Sequence, residues 1–105
     1  MTENSNATVT VTKIAVRDDI DPPKLFNVKY NNDDYTPFEF VISTMIEIFG
    51  LPKDTALELT KNVHEQGSAI VKKEYTYEVA EYLVKVTMHN AKLNKYPLLV
   101  ELVSI

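Results

Sequence analysis

The residues best equipped for chemistry lie in one stretch, Asn31-Asn32-Asp33-Asp34-Tyr35-Thr36-Pro37-Phe38-Glu39-Phe40-Val41-Ile42. It sets a polar, acidic turn directly against an apolar run. The carboxylate and amide oxygens gathered in Asn32-Asp33-Asp34 are acceptors that can solvate a cation. Phe38 and Val41 offer apolar surface one helical turn away. A ligand with a positive end and a greasy end would suit both halves. The same residues also make plain turns, because Asn and Asp side chains bond their own backbone and tolerate unusual dihedrals.

Several elements must hold this stretch in place. Thr36 is a good N-cap, Pro37 suits the first helical position, and Glu39 three residues after Thr36 completes a capping box. A helix is expected from Pro37 to Phe49, its stripe made by Phe38, Val41, Ile42, Met45, Ile46 and Phe49. Gly50 is a natural terminator. Before the turn, Leu25–Tyr30 alternates apolar Phe26, Val28 and Tyr30 with Asn27 and Lys29, the period of a half-buried strand. After it, Lys53–Gln66 reads as a second helix with Ala56, Leu59, Thr60 and Val63 on one face, ended by Gly67. His64 lies in its last turn, where a histidine suits the helix dipole. Turned towards Asn32 it would instead add a second polar contact for the same ligand.

The remainder reads as a short strand over Ser68–Tyr75, interrupted by Lys72-Lys73, and a third helix capped by Thr76. That helix runs from Tyr77 to Asn90 or slightly beyond, with Val79, Tyr82, Leu83, Val86 and Asn90 as its series and Ala80 and Val84 widening the face. Asn94-Lys95-Tyr96-Pro97 turns the chain into a last strand, Leu98–Val103. The order is that of an α+β domain: three helices layered on one face of a small antiparallel three-stranded sheet. Residues 1–21 are expected to form a flexible tail ahead of a domain spanning 22–105. Within the tail, Thr8-Val9-Thr10-Val11-Thr12 alternates like an edge strand, and Pro22-Pro23 marks the linker.

With 105 residues, 45% of them apolar, the chain has the size and composition of one small domain. It has no cysteine, which excludes disulfides and thiolate metal sites. A net charge of −4 argues against nucleic acid, whose binders present a basic face. No apolar run is long enough for a bilayer, and no secretory signal opens the sequence, so cytoplasmic residence without membrane attachment is expected. No nucleophile stands in a catalytic setting, no phosphate loop is present, and no His-Glu metal helix occurs. Neither an enzyme, a cofactor nor a metal is expected, although Asp33, Asp34 and His64 are groups that could in principle bind a metal or act as acid and base.

Asn32-Asp33-Asp34-Tyr35-Thr36-Pro37 with Glu39-Phe40-Val41 resembles the signature of the ClpS adaptor family. Val63-His64-Glu65-Gln66-Gly67 with Ala69, Glu78-Val79-Ala80-Glu81 and Tyr96-Pro97-Leu98-Leu99 agree in order and spacing. The resemblance covers Pro22 to Leu102. It implies a fold like the C-terminal domain of the ribosomal stalk protein. It also implies an adaptor that does no chemistry itself but brings proteins with a bulky apolar N-terminal residue (Phe, Leu, Tyr or Trp) to the N-terminal domain of a Clp AAA+ unfoldase.

By that resemblance Asn32, Asp33 and His64 hold the α-amino group, with Asp34 bracing the turn. The attached side chain enters a pocket of Thr36, Phe38, Val41, Thr60, Val63 and Leu98. Glu78 and Lys85 are expected to dock on the unfoldase, and the protein to be a monomer. The sequence departs from the family where Leu83 replaces a docking lysine and where Phe38 and Thr60 stand at positions often held by methionine. It also departs at Val71-Lys72-Lys73-Glu74, which is longer than usual and lacks a glycine. The alternative is an assembly module of the same fold, which would have no reason to keep Asn32, Asp33 and His64 together.

Overall fold

Alternating apolar residues build the central strand, and the computed structural model, which describes residues 22–105, places it as β1, Leu25–Asn31. It is followed by α1 (Phe38–Glu47), α2 (Lys53–Gln66), β2 (Ser68–Thr76), α3 (Tyr77–Leu93) and β3 (Leu99–Ser104). The sheet order is β2-β1-β3, with both pairings antiparallel. Val28 and Tyr30 of β1, Val71 of β2 and Val100 of β3 are buried. They share one core with Val41, Met45 and Phe49 of the first helical segment, Ala56 and Val63 of α2, and Ala80, Val84 and Ala91 of α3. One sheet face thus receives all three helices, as the strand-helix-helix-strand-helix-strand order implies. The readings of residues before Pro22 lie outside the described residues.

The phenol of Tyr30 is fully buried, and it shares a 2.8 Å hydrogen bond with the Thr44 hydroxyl. Burial pushes that phenol well above its ordinary pKa, against the smaller opposing effect of the Thr44 bond. Without a partner, such a buried hydroxyl would cost about 1–3 kcal/mol.

Four local expectations are corrected. The capping box at Thr36 does not form: Pro37 is the N-cap of α1, and no side chain caps it. The Thr36 hydroxyl instead donates to the Asp33 carboxylate at 2.7 Å, a charge-assisted bond stronger than a capping contact. The Pro37 carbonyl accepts from the Phe40 and Val41 amides, so the helix begins one residue later. Thr76 occupies the N-cap position of α3, but its side chain makes no capping bond.

Nor is β2 short and interrupted. Phe26 pairs with Tyr75 and Val28 with Val71, so Asn27 alone opposes Lys72, Lys73 and Glu74 in a bulge. Glu74 takes φ 54° there, and its amide donates to the Asn27 side-chain oxygen. The extra length of this segment is absorbed without breaking the strand.

The buried stripe of α3 keeps the expected Ala80 and Val84 and adds Thr87 and Ala91, whereas Val79 and Tyr82 of the expected series are 46% and 65% exposed. A helix lying close on a sheet favours small residues beneath it, which leaves the bulky ones outside.

Candidate functional site

Four segments converge at one end of the sheet. The turn Asn32–Thr36 is braced by Asp33, whose Oδ1 accepts the Tyr35 and Thr36 amides at 2.8 Å each while Oδ2 accepts the Thr36 hydroxyl. Partial burial alone would raise this carboxyl. The bonds from the Thr36 hydroxyl and the two amides outweigh it, and the pKa falls below the ordinary 3.8. The bracing assigned above to Asp34 is therefore made by Asp33, because only that side chain curls over the amides that follow it. Asp34 is exposed. Oδ2 of Asp33 still has a free lone-pair direction, so the brace can also serve as an acceptor.

The second segment is the end of α2. Gly67 takes the left-handed conformation at φ 89°, and its amide caps the helix on the Val63 carbonyl. Its own carbonyl then accepts the Asn32 amide at 2.9 Å. That bond ties the turn to the helix end and brings His64, one turn back, beside it. The Phe38 ring meets the His64 ring edge-on, with centroids 5.0 Å apart.

The apolar walls come from α1, α2 and the entrance to β3. Asn32, Asp33, Thr36, Phe38, Val41, Thr60, Val63, His64 and Leu98 line a single cleft, together with Asn31. All three expected cage residues and all six expected pocket residues are brought together. Val41, Thr60, Val63 and Leu98 are buried, whereas Asn32 and His64 are exposed and Phe38 is 47% exposed. The Thr60 hydroxyl turns to the Met45 sulfur at 3.7 Å, which occupies its polar atom. The cleft encloses about 10 Å³, room for about one water.

Asn31 is the residue that sequence reasoning passed over. Its amide donates to the Leu99 carbonyl at 3.3 Å and to Glu101 Oε2 at 2.9 Å, pinning the start of β3, and with it Leu98, to the end of β1. Its place in the quoted stretch was the available signal. Its partners lie far along the chain and could not be read from it.

Glu78 and Lys85 stand apart from the cleft on the outer side of α3. Spacing places them on one face with Tyr82, and Lys85 pairs with Glu81 at 3.6 Å. Leu83, at the position of the missing lysine, is partly buried against the core. Among the described residues no cluster of three metal-ligating side chains occurs, and no helix is long and apolar enough to cross a membrane.

The family model described as ATP-dependent Clp protease adaptor protein ClpS matches residues 21–101. The chain belongs to the ClpS family. An adapter protein ClpS of the ATP-dependent Clp protease from Escherichia fergusonii is 43% identical over 84 residues, which are 80% of this chain and 78% of that protein. ClpS2 of Agrobacterium tumefaciens, solved bound to L-phenylalaninamide, superposes with a TM-score of 0.71 at 30% identity, covering 80% of this chain and all of the other. The ClpS family supplies adaptors of a protease, not enzymes, and this chain is a ClpS adaptor of the Clp protease.

Proposed function

We propose that the cleft captures the free N-terminus of proteins beginning with Phe, Leu, Tyr or Trp, and that the adaptor delivers them to the Clp unfoldase and its peptidase. The observation that carries this reading is the composition of the single cleft. Residues able to accept, Asn32, Asp33 and His64, line it together with the buried apolar Val41, Val63 and Leu98. An α-ammonium is a compact cation whose donors need such preformed acceptors. L-phenylalaninamide, the ligand of the Agrobacterium relative, carries a free α-amino group and a benzyl side chain. The enclosed 10 Å³ is too small for a benzyl group, so a wall must move on binding. Phe38, half exposed in the first turn of α1, is the wall with freedom to do so.

The unfoldase N-terminal domain is the proposed partner, met through the α3 face carrying Glu78, Tyr82 and Lys85 by a monomeric, cytoplasmic adaptor. In this reading residues 22–105 are the adaptor domain and residues 1–21 a tail used in delivery.

The test is binding of matched peptides beginning Phe, Leu, Tyr, Trp, Val or Ala, each with a free or an acetylated terminus. Free-amine Phe and Leu peptides should bind and their acetylated forms should not. Acetylation removes the charge and two donors, leaving acceptors unpaired at about 1–3 kcal/mol each. Equal binding of both forms would sink the cage and favour the assembly-module alternative.

A further inference from the structure

We propose that the chain's own N-terminal segment, Val9–Val16, docks along the open edge of β2 in the groove beside α2. β2 is an outer strand of the β2-β1-β3 sheet, so one side of its backbone has no neighbouring strand among the described residues. That side faces a groove of about 350 Å³ with Leu51, Leu59 and Val71 in its lining, far roomier than the cleft. A second hollow of about 300 Å³ continues it past Ser68. Together they follow β2 from Ser68 to Lys73. The trench is mixed, with Leu59 and Ile70 set among Thr55, Glu58, Asn62 and Lys72. Beside an unpaired strand it suits an added strand of alternating apolar and polar residues, which gains main-chain hydrogen bonds and buries alternate side chains.

The sequence before Pro22 holds a matching occupant. Thr8, Val9, Thr10, Val11, Thr12, Ile14 and Val16 make it rich in β-branched residues, which fit a pleated, half-buried position. The chain enters β1 at Leu25, opposite Thr76 at the far end of β2. The eight residues Arg17–Lys24 can span up to about 26 Å, against two strand spacings of about 10 Å and a few residues of strand. The connection therefore reaches, and it sets the direction. The segment runs parallel to β2, with Val9 near Ser68 and Val16 near Lys73.

Charge agrees with that direction. Lysines and a bulge on an edge strand normally reject foreign strands, and Lys72 and Lys73 are exposed at the bulge of β2. The docked segment is followed by Asp18 and Asp19, which this direction carries to those lysines. The edge thus excludes other strands and accepts its own. The groove uses the face of α2 that carries Glu58, Leu59 and Asn62, while the cleft uses Thr60, Val63 and His64. The docked segment leaves the cleft open.

The full chain lacks cysteine, so a nitroxide attached through Thr10→Cys is the sole label. In dilute protein it should broaden the amide signals of Ser68, Ala69 and Asn62. Mixing spin-labelled, isotope-silent protein with unlabelled, isotope-enriched protein should broaden nothing. Lys72→Glu with Lys73→Glu should reduce the broadening several-fold. Broadening along Leu99–Ser104, broadening only in the mixture, no site-selective broadening, or no response to the charge reversal would each overturn the proposal.

Discussion

A threonine stands just before a helix at two places, and the two regions are built in opposite senses. Thr36 gives its hydroxyl to Asp33, and the result is a turn braced from within that keeps acceptor capacity on Asp33 and Asn32. That turn is tied to Gly67 and backed by buried walls, so it faces inward on a space of about 10 Å³. Thr76 makes no side-chain capping bond, and the first turns of α3 leave Tyr77, Val79 and Tyr82 46–65% exposed. In the proposed function the first region would hold a small ligand by pre-ordered acceptors, for which preorganisation lowers the cost of binding. The second offers broad aromatic and apolar area, the composition of protein interfaces. Small changes should therefore be felt sharply at the turn and softly on α3.

Asn32→Ala and His64→Ala test the sharp side most directly. Each removes a hydrogen bond to a charged group, about 1.5–3 kcal/mol, so affinity for a Phe-starting peptide should fall about ten- to hundredfold. Both side chains are exposed, so melting temperatures should hardly change. Calorimetric titration beside thermal melts checks both. Unchanged affinity in a folded variant would remove that residue from the cage.

Phe38→Ala should change selectivity more than stability. A half-exposed ring should cost less than the roughly 3–5 kcal/mol typical of a buried phenylalanine. Without the ring, Val- and Ile-starting peptides should gain relative to Phe and Leu. An unfolded variant, or one with an unchanged order of preference, would end the role of Phe38 as a wall.

The bracing of the turn carries its own pH signature. The folded Asp33 carboxyl lies below its ordinary 3.8, so its stabilising contribution is complete above that value and is lost as pH falls through the folded pKa. The Thr36 amide shift should hold from neutral pH to about 3.8 and move only below it. In Asp33→Asn the transition should disappear. A midpoint above the ordinary value would contradict the brace.

The smallest effect is expected on α3. Lys85→Ala breaks an exposed pair with Glu81 worth about 0.3–0.5 kcal/mol, so stability should barely move. Glu78→Ala with Tyr82→Ala should weaken unfoldase binding in a pull-down while leaving peptide affinity intact. Equal loss of both would show that the two regions are not separate.

Local patterns in the chain specify the elements, and residue type with the family pattern named most of the residues that line the cleft. Period-two alternation marked β1, and the stripe Ala56, Leu59, Thr60 and Val63 with Gly67 marked α2, because these patterns are local. Of that stripe Leu59 is only partly buried. The acceptor turn and His64 were legible from residue type and from the family pattern they share. Tertiary structure decided what each group does there. Asp33 took the bracing through bonds only two and three residues along the chain, the local bonding of Asp to its own backbone. Residue type allowed this equally for Asp34 until the turn geometry was known. That His64 lines the same cleft as the turn follows the bond from Asn32 to Gly67, 35 positions apart in the chain. The face of α3 was read only in part, through Ala80 and Val84, because apolar residues surround much of that helix. Close packing on the sheet then selected the small ones, Ala80, Thr87 and Ala91, and left Tyr82 outside.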